Sequence, residues 1–137
     1  MSKILQMPLF SKGCGTKTTE SHLISHPVLT QENGASITKH ENGPVARALE
    51  TPGIFYGDEY NLVKSDVQKR LNSALDDRCE IDRNDGVKIM GKKGYWFVIS
   101  YNPSKSLVQR DLEESVADRF VHLHFEEMDS TMLSYLA

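Results

Sequence analysis

Apolar positions fall along this chain in short runs of differing period. The most apolar stretch is Tyr95-Trp96-Phe97-Val98-Ile99-Ser100-Tyr101. An unbroken run of that kind suits a strand covered on both faces, as in the middle of a parallel sheet. A second run, Gly53-Ile54-Phe55-Tyr56-Gly57, ends abruptly in two adjacent carboxylates, Asp58 and Glu59. Residues 1–10 offer a first strand, weakened in its second half by Pro8, which cannot donate to a ladder.

Helical spacing is found at Val67, Leu71, Ala74 and Leu75 and predicts an amphipathic helix over 66–76. Ser65-Asp66-Val67-Gln68 has the order of a capping box at its start. A shorter helix over 45–50 is opened by Gly43-Pro44 and stopped by Thr51-Pro52-Gly53. Leu112 and Val116 predict a third helix over 111–119. Two alternating segments within 79–90 flank Arg83-Asn84-Asp85-Gly86, a hairpin signal. Residues 120–126 alternate as well, with Val121, Leu123 and Phe125 on one face and His122, His124 and Glu126 on a solvated one. Residues 21–42 have no sustained period of either kind and read as a loop or a partly disordered stretch. Strands alternating with helices predict an α/β fold, a mainly parallel sheet with helices on its faces. Three helices are few for such a sheet, so it is expected to be incomplete or to be covered by a partner subunit.

Composition narrows the class. The chain has 137 residues, 39% hydrophobic and 26% charged, which fits one soluble domain. A net charge of −3 gives no electrostatic support for nucleic-acid binding. No apolar run approaches a membrane span, and residues 1–10 lack the apolar core of a secretory signal. Cys14 and Cys79 form no disulfide framework, so a cytoplasmic location is expected. His22, His26 and His40 fit no compact ligand set.

Two places carry candidate chemistry. At Asp58-Glu59, one acid would hold a magnesium shell through water and the other would take a proton from attacking water; the alternative is an acidic turn after a strand. Ser11-Lys12-Gly13-Cys14-Gly15-Thr16-Lys17-Thr18-Thr19 follows the first strand in the order of a phosphate-cradling loop. Its spacing departs from that motif, because Thr16 separates Gly15 from Lys17 and Phe10 or Ser11 stands where the first glycine belongs. A flexible loop of small polar residues is the other reading.

Four ordered pieces carry a resemblance: Gly43-Pro44-Val45-Ala46-Arg47-Ala48-Leu49, Gly53 through Asp58-Glu59, Val98-Ile99-Ser100-Tyr101-Asn102-Pro103, and Asp111-Leu112 through Asp118-Arg119-Phe120. Together they resemble the MoxR branch of AAA+ ATPases, in its rubisco-activation, nitric-oxide-reductase-activation and gas-vesicle members. The resemblance implies a P-loop NTPase-like partial core over 1–127, with 1–42 divergent and 128–137 a tail. It implies ATP and Mg2+ as cofactors. Asp58 would be the magnesium-associated Walker B acid and Glu59 the base. Asn102 would be the sensor that orients water, and Arg119 the finger acting on a neighbouring subunit's nucleotide. Lys17 and Thr18 would be the Walker A pair, Thr18 also near the metal, with Gly13 and Gly15 in the turn. The hairpin near 79–90 falls where this branch carries an insertion before the sensor strand. The implied partners are copies of the chain in a ring such as a hexamer, and a client or von Willebrand A-type protein. The resemblance places a helical lid after the finger strand, which this sequence is expected to lack, and the phosphate loop is altered. Two functions therefore stand side by side: an ATP-driven chaperone that remodels or activates a partner, and a catalytically inactive AAA+-derived interaction module.

Overall fold

The computed structural model describes residues 5–102 and 111–125. Strand β1 (Leu9–Gly13) pairs in parallel with β4 (Ile54–Asp58), which pairs in parallel with β7 (Trp96–Ile99), giving a three-stranded sheet of order β1-β4-β7. The carboxyl ends of the strands therefore share one edge of the sheet, and Gly13 lies opposite Asp58 in the ladder. The mixed α/β, mainly parallel architecture of the sheet agrees with the apolar runs. The first strand differs: it starts after Pro8 and runs through the expected glycine turn, so that Gly13 closes the strand.

Helix α2 (Pro44–Glu50) covers this sheet. Pro44 sits in its first turn, where a missing N–H costs nothing, and Val45, Ala46, Ala48 and Leu49 are fully buried. Its entry is tightly fitted. Gly43 donates to the Ile24 carbonyl at 2.6 Å, and a Cβ there would lie 2.6 Å from the Leu23 carbonyl oxygen.

Residues expected to be a loop, 21–42, are ordered as α1 (Glu20–Leu23) and the antiparallel hairpin β2 (Ser25–Glu32) and β3 (Ala35–Asn42). Asn33 and Gly34 turn it, with φ of 53° and 80°, the left-handed pair of a type I′ turn. Most of both strands faces solvent, and Leu29 is 79% exposed. A ribbon wet on both faces has no apolar alternation to betray it.

The helix expected over 66–76 is broken. It forms α3 (Ser65–Arg70) and α4 (Asn72–Leu75), with Leu71 between them at φ −86° and ψ −4°. The capping box does not close either. Ser65 Oγ donates to Glu113 Oε1 at 2.6 Å, and buried Gln68 turns inward to donate to the Val63 carbonyl at 2.8 Å. The hairpin β5 (Glu80–Asp82) and β6 (Lys88–Met90) forms as expected. Helix α5 (Glu114–Ala117) is shorter than its sequence pattern, and the described residues 120–125 form no strand. Val121, Leu123 and Phe125 are all exposed. Pro103 and the tail over 128–137 lie outside the described residues.

An aromatic cluster on β7 anchors the sheet. The Phe97 ring lies 4.6 Å from Phe55, 5.8 Å from Tyr60 and 5.8 Å from Phe120 between centroids. Such tilted and edge-on pairs add to the gain from burial alone.

Candidate functional site at the carboxyl edge of the sheet

Asp58 is the last residue of the central strand, and its side chain reaches solvent. The ladder between β4 and β7 places Gly57 opposite Ile99, and it continues past the strands: Ser100 N–H donates to the Gly57 carbonyl at 2.9 Å, and Tyr60 N–H to the Ser100 carbonyl at 3.1 Å. Ser100 is thus held through both its N–H and its C=O. Its hydroxyl donates to Asp58 Oδ1 at 2.5 Å. Tyr56, two residues before Asp58 on the same strand face, lies 2.9 Å from Ser100 Oγ through its hydroxyl. A carboxylate only accepts, so the single Ser100 proton goes to Asp58 and the Tyr56 O–H donates to Ser100. The Glu59 N–H adds a contact to Asp58 Oδ1 at 3.1 Å. One carboxylate oxygen is therefore held by a chain of donors. Among the described residues, these hydrogen bonds all go to Oδ1.

Glu59 is strained. Its φ of 52° and ψ of 39° lie in the left-handed region, which disfavours a residue with a Cβ. This conformation turns the chain from β4 into a 3-10 turn (Tyr60–Leu62) and buries Tyr60 and Asn61 directly behind the acids. Such strain concentrates at functional sites. Asn102 follows β7 and is exposed. Arg119 is engaged elsewhere: its Nε lies 3.8 Å from Asp76 Oδ2, and its guanidinium donates to the Ser115 carbonyl. Asp76 is also bound by Arg78, whose hydrogen bond is the main cause holding its pKa down at about 2. The structure brings Asp58, Glu59, Tyr56 and Ser100 together and leaves Arg119 paired outside that group.

Ser100 and Tyr56 are absent from the sequence-based set of site residues, although a signal for them exists. Aligning the two apolar runs so that Phe55 faces Phe97 puts Ser100 beside Asp58.

The loop over 13–19 sits against the same edge through Cys14, whose N–H donates to the Asp58 carbonyl at 2.8 Å. Burial pushes the Cys14 thiol up to about 11, Lys12 opposing and Asp58 adding to the rise. Gly15 N–H donates to Thr18 Oγ1 at 2.9 Å, Thr18 N–H to the Gly15 carbonyl at 2.9 Å, and Thr19 N–H to His22 Nδ1 at 3.1 Å. Gly13 and Gly15 have no left-handed φ, and a Cβ at either would meet nothing within 4 Å. Lys17 is exposed, whereas Thr18 is buried with its hydroxyl turned to Gly15.

Similarity to known proteins gives this edge a family. Residues 1–120 match the family model described as AAA domain (dynein-related subfamily). The chain belongs to this AAA family. Within it, the chain is of the MoxR type. It is 29% identical over 127 residues to the denitrification regulatory protein NirQ of Pseudomonas aeruginosa, a match covering 92% of this chain and 47% of NirQ. It is 31% identical over 128 residues to the protein NorQ of Paracoccus denitrificans, covering 92% and 46% respectively. The chain thus spans about half the length of the curated relatives it matches. A solved protein of Cytophaga hutchinsonii described as an ATPase superposes with a TM-score of 0.70 at 17% identity, over 95% of this chain and 37% of that one. That likeness supports the P-loop ATPase fold.

The family implies a nucleotide with a divalent metal, and the two halves of such a site fit this AAA chain unequally. Asp58 fits a magnesium-bound water: it is exposed, and one of its two oxygens is fixed by Ser100. Residues 13–19 do not fit a triphosphate. A phosphate cradle needs backbone N–H groups facing outward, and those of Cys14, Gly15, Thr18 and Thr19 are engaged within the protein.

Proposed function

We propose that this chain supplies the acid-bearing edge of a cytoplasmic, Mg-ATP-driven AAA+ assembly that remodels or activates a partner protein. The observation that carries this reading is the donor chain from Tyr56 through Ser100 to Asp58, which aims one carboxylate at the open edge of the sheet. In this reading Asp58 would hold the water shell of the cation, and Glu59 would accept a proton from attacking water. Asn102 would orient that water, and Arg119 would serve a neighbouring subunit of a ring-shaped homo-oligomer. Bound magnesium would stabilise negative charge on the phosphoryl oxygens. No member of this set needs Lys17. NirQ bears the name of a denitrification regulator, and a regulatory role over a partner, of client or von Willebrand A type, is the corresponding proposal for this chain.

The engaged amides of Cys14, Gly15, Thr18 and Thr19 favour a second reading, an AAA+-derived interaction module without turnover. Isothermal titration of Mg-ATP into the purified chain separates the two. Binding in the micromolar range that is lost in Asp58→Ala and retained in Lys17→Ala supports the first. Absence of heat at high micromolar nucleotide supports the second and removes the first.

A further inference from the structure

A groove lies at the other edge of the sheet. It has a volume of about 800 Å3 and is lined by Leu9, Phe10, Ser11 and Lys12 in succession. Side chains of consecutive strand residues point to opposite faces, so a groove lined by all four runs along the edge of β1. That edge has no strand partner among the described residues. Its hydrogen-bonding groups can be assigned. The Pro8 carbonyl accepts from Ile54 N–H, and Cys14 N–H donates to the Asp58 carbonyl. A parallel ladder uses alternate residues, so Phe10 and Lys12 also face β4. The N–H and C=O groups of Leu9, Ser11 and Gly13 therefore face outward into the groove.

The walls are basic on balance. Arg47 of α2 stands on one side with its Cζ 4.8 Å from the Phe10 ring centroid, which fixes the guanidinium there. Lys12 lines the same groove, and among the described residues neither cation has a carboxylate within ion-pair distance. The acid of the groove, Glu41, has its Oε2 3.8 Å from His26 Nε2. His22, whose Nδ1 accepts from Thr19 N–H, completes the wall. In a chain of net charge −3, this is a local positive surface laid along an open strand edge.

We propose that the β1 edge is a docking groove for an extended acidic segment of a partner protein, added to the sheet as a further strand. Main-chain hydrogen bonds to Ser11 and Gly13 would supply binding, and Lys12 and Arg47 would select acidic side chains. The same cations oppose self-association. Two copies meeting edge to edge would place Lys12 and Arg47 against their own counterparts. This goes beyond the nucleotide reading and does not depend on it.

The test uses the full 15N-labelled chain and two fluorescein-labelled nine-residue peptides, one alternating valine with glutamate and one alternating valine with lysine. The glutamate peptide should raise anisotropy with at least about tenfold higher affinity than the lysine peptide, and should shift the Ser11 and Gly13 amide signals. Lys12→Glu and Arg47→Glu should each weaken binding about threefold to tenfold, with melting temperatures reported alongside. Ser11→Pro keeps the β4 ladder, because the Ser11 N–H is not part of it, and should abolish binding. Equal affinity for both peptides, unmoved Ser11 and Gly13 signals, or a dimer in sedimentation that Lys12→Glu dissolves would each overturn the proposal.

Discussion

Replacing Glu59 with glycine isolates the cost of its backbone. At φ 52° and ψ 39° a side-chain-bearing residue sits about 1–2 kcal/mol above its relaxed state. Glycine adopts this conformation freely but loses more chain entropy on folding, of order 0.5–1 kcal/mol. The Glu59 side chain is exposed and its N–H contact to Asp58 is a backbone one, so little else is removed. The net expectation is a gain of about 0.5–1 kcal/mol, or roughly 2–4 °C in Tm for a domain of this size. Glu59→Gln keeps the Cβ and the strain, so it should melt with the parent protein. Differential scanning calorimetry of the three proteins reads this directly. If Mg-ATP turnover is measurable, both variants should lose it, which would show a strained residue retained for its carboxylate. Should Glu59→Gly melt lower than Glu59→Gln, the left-handed backbone does not control stability at this position, and the strain reasoning is refuted.

The glycines offer a contrast: Gly43→Ala should cost about 2–3 kcal/mol in urea unfolding, since the atoms a Cβ would strike are backbone, whereas Gly15→Ala should stay within about 0.5 kcal/mol. Ser100→Ala should lower stability by about 1 kcal/mol through loss of the donor to Asp58, and Tyr56→Phe by less, with the double variant showing coupling between them. The Cys14 thiol is raised from 9.0 to about 11, so the folded state keeps a proton that the unfolded chain releases first. Its contribution is fully present below pH 9 and is lost as pH climbs from 9 towards 11. Cys14→Ala should flatten that part of a stability-against-pH curve measured by urea denaturation, and an unchanged curve would refute the assignment.

Elements whose cause is local are legible in the chain itself. Pro44 in the first turn and Thr51-Pro52-Gly53 after the last set the bounds of α2. The turn at 83–86 sets the second hairpin, and the apolar runs mark β4 and β7 with Asp58 at a strand end. Where burial does not follow a period, the pattern carries nothing: the β2–β3 ribbon is wet on both faces, and only Asn33-Gly34 announces it. Local signals are also overruled by packing. Gln68 has the position of a cap, yet its amide is buried and satisfied by the Val63 carbonyl, and the helical stripe breaks at Leu71. The alternation over 120–126 predicts a strand, but the described residues 120–125 pair with no strand. The site shows the same division. A carboxylate pair can be read from sequence, whereas the residue that aims Asp58 sits 42 positions away and arrives only through the parallel register of β4 with β7. The Gly-Lys-Thr order of the loop likewise names residues without fixing where their N–H groups point. Those directions are set by which acceptors the fold brings near, and here Thr18, Gly15, His22 and Asp58 take them.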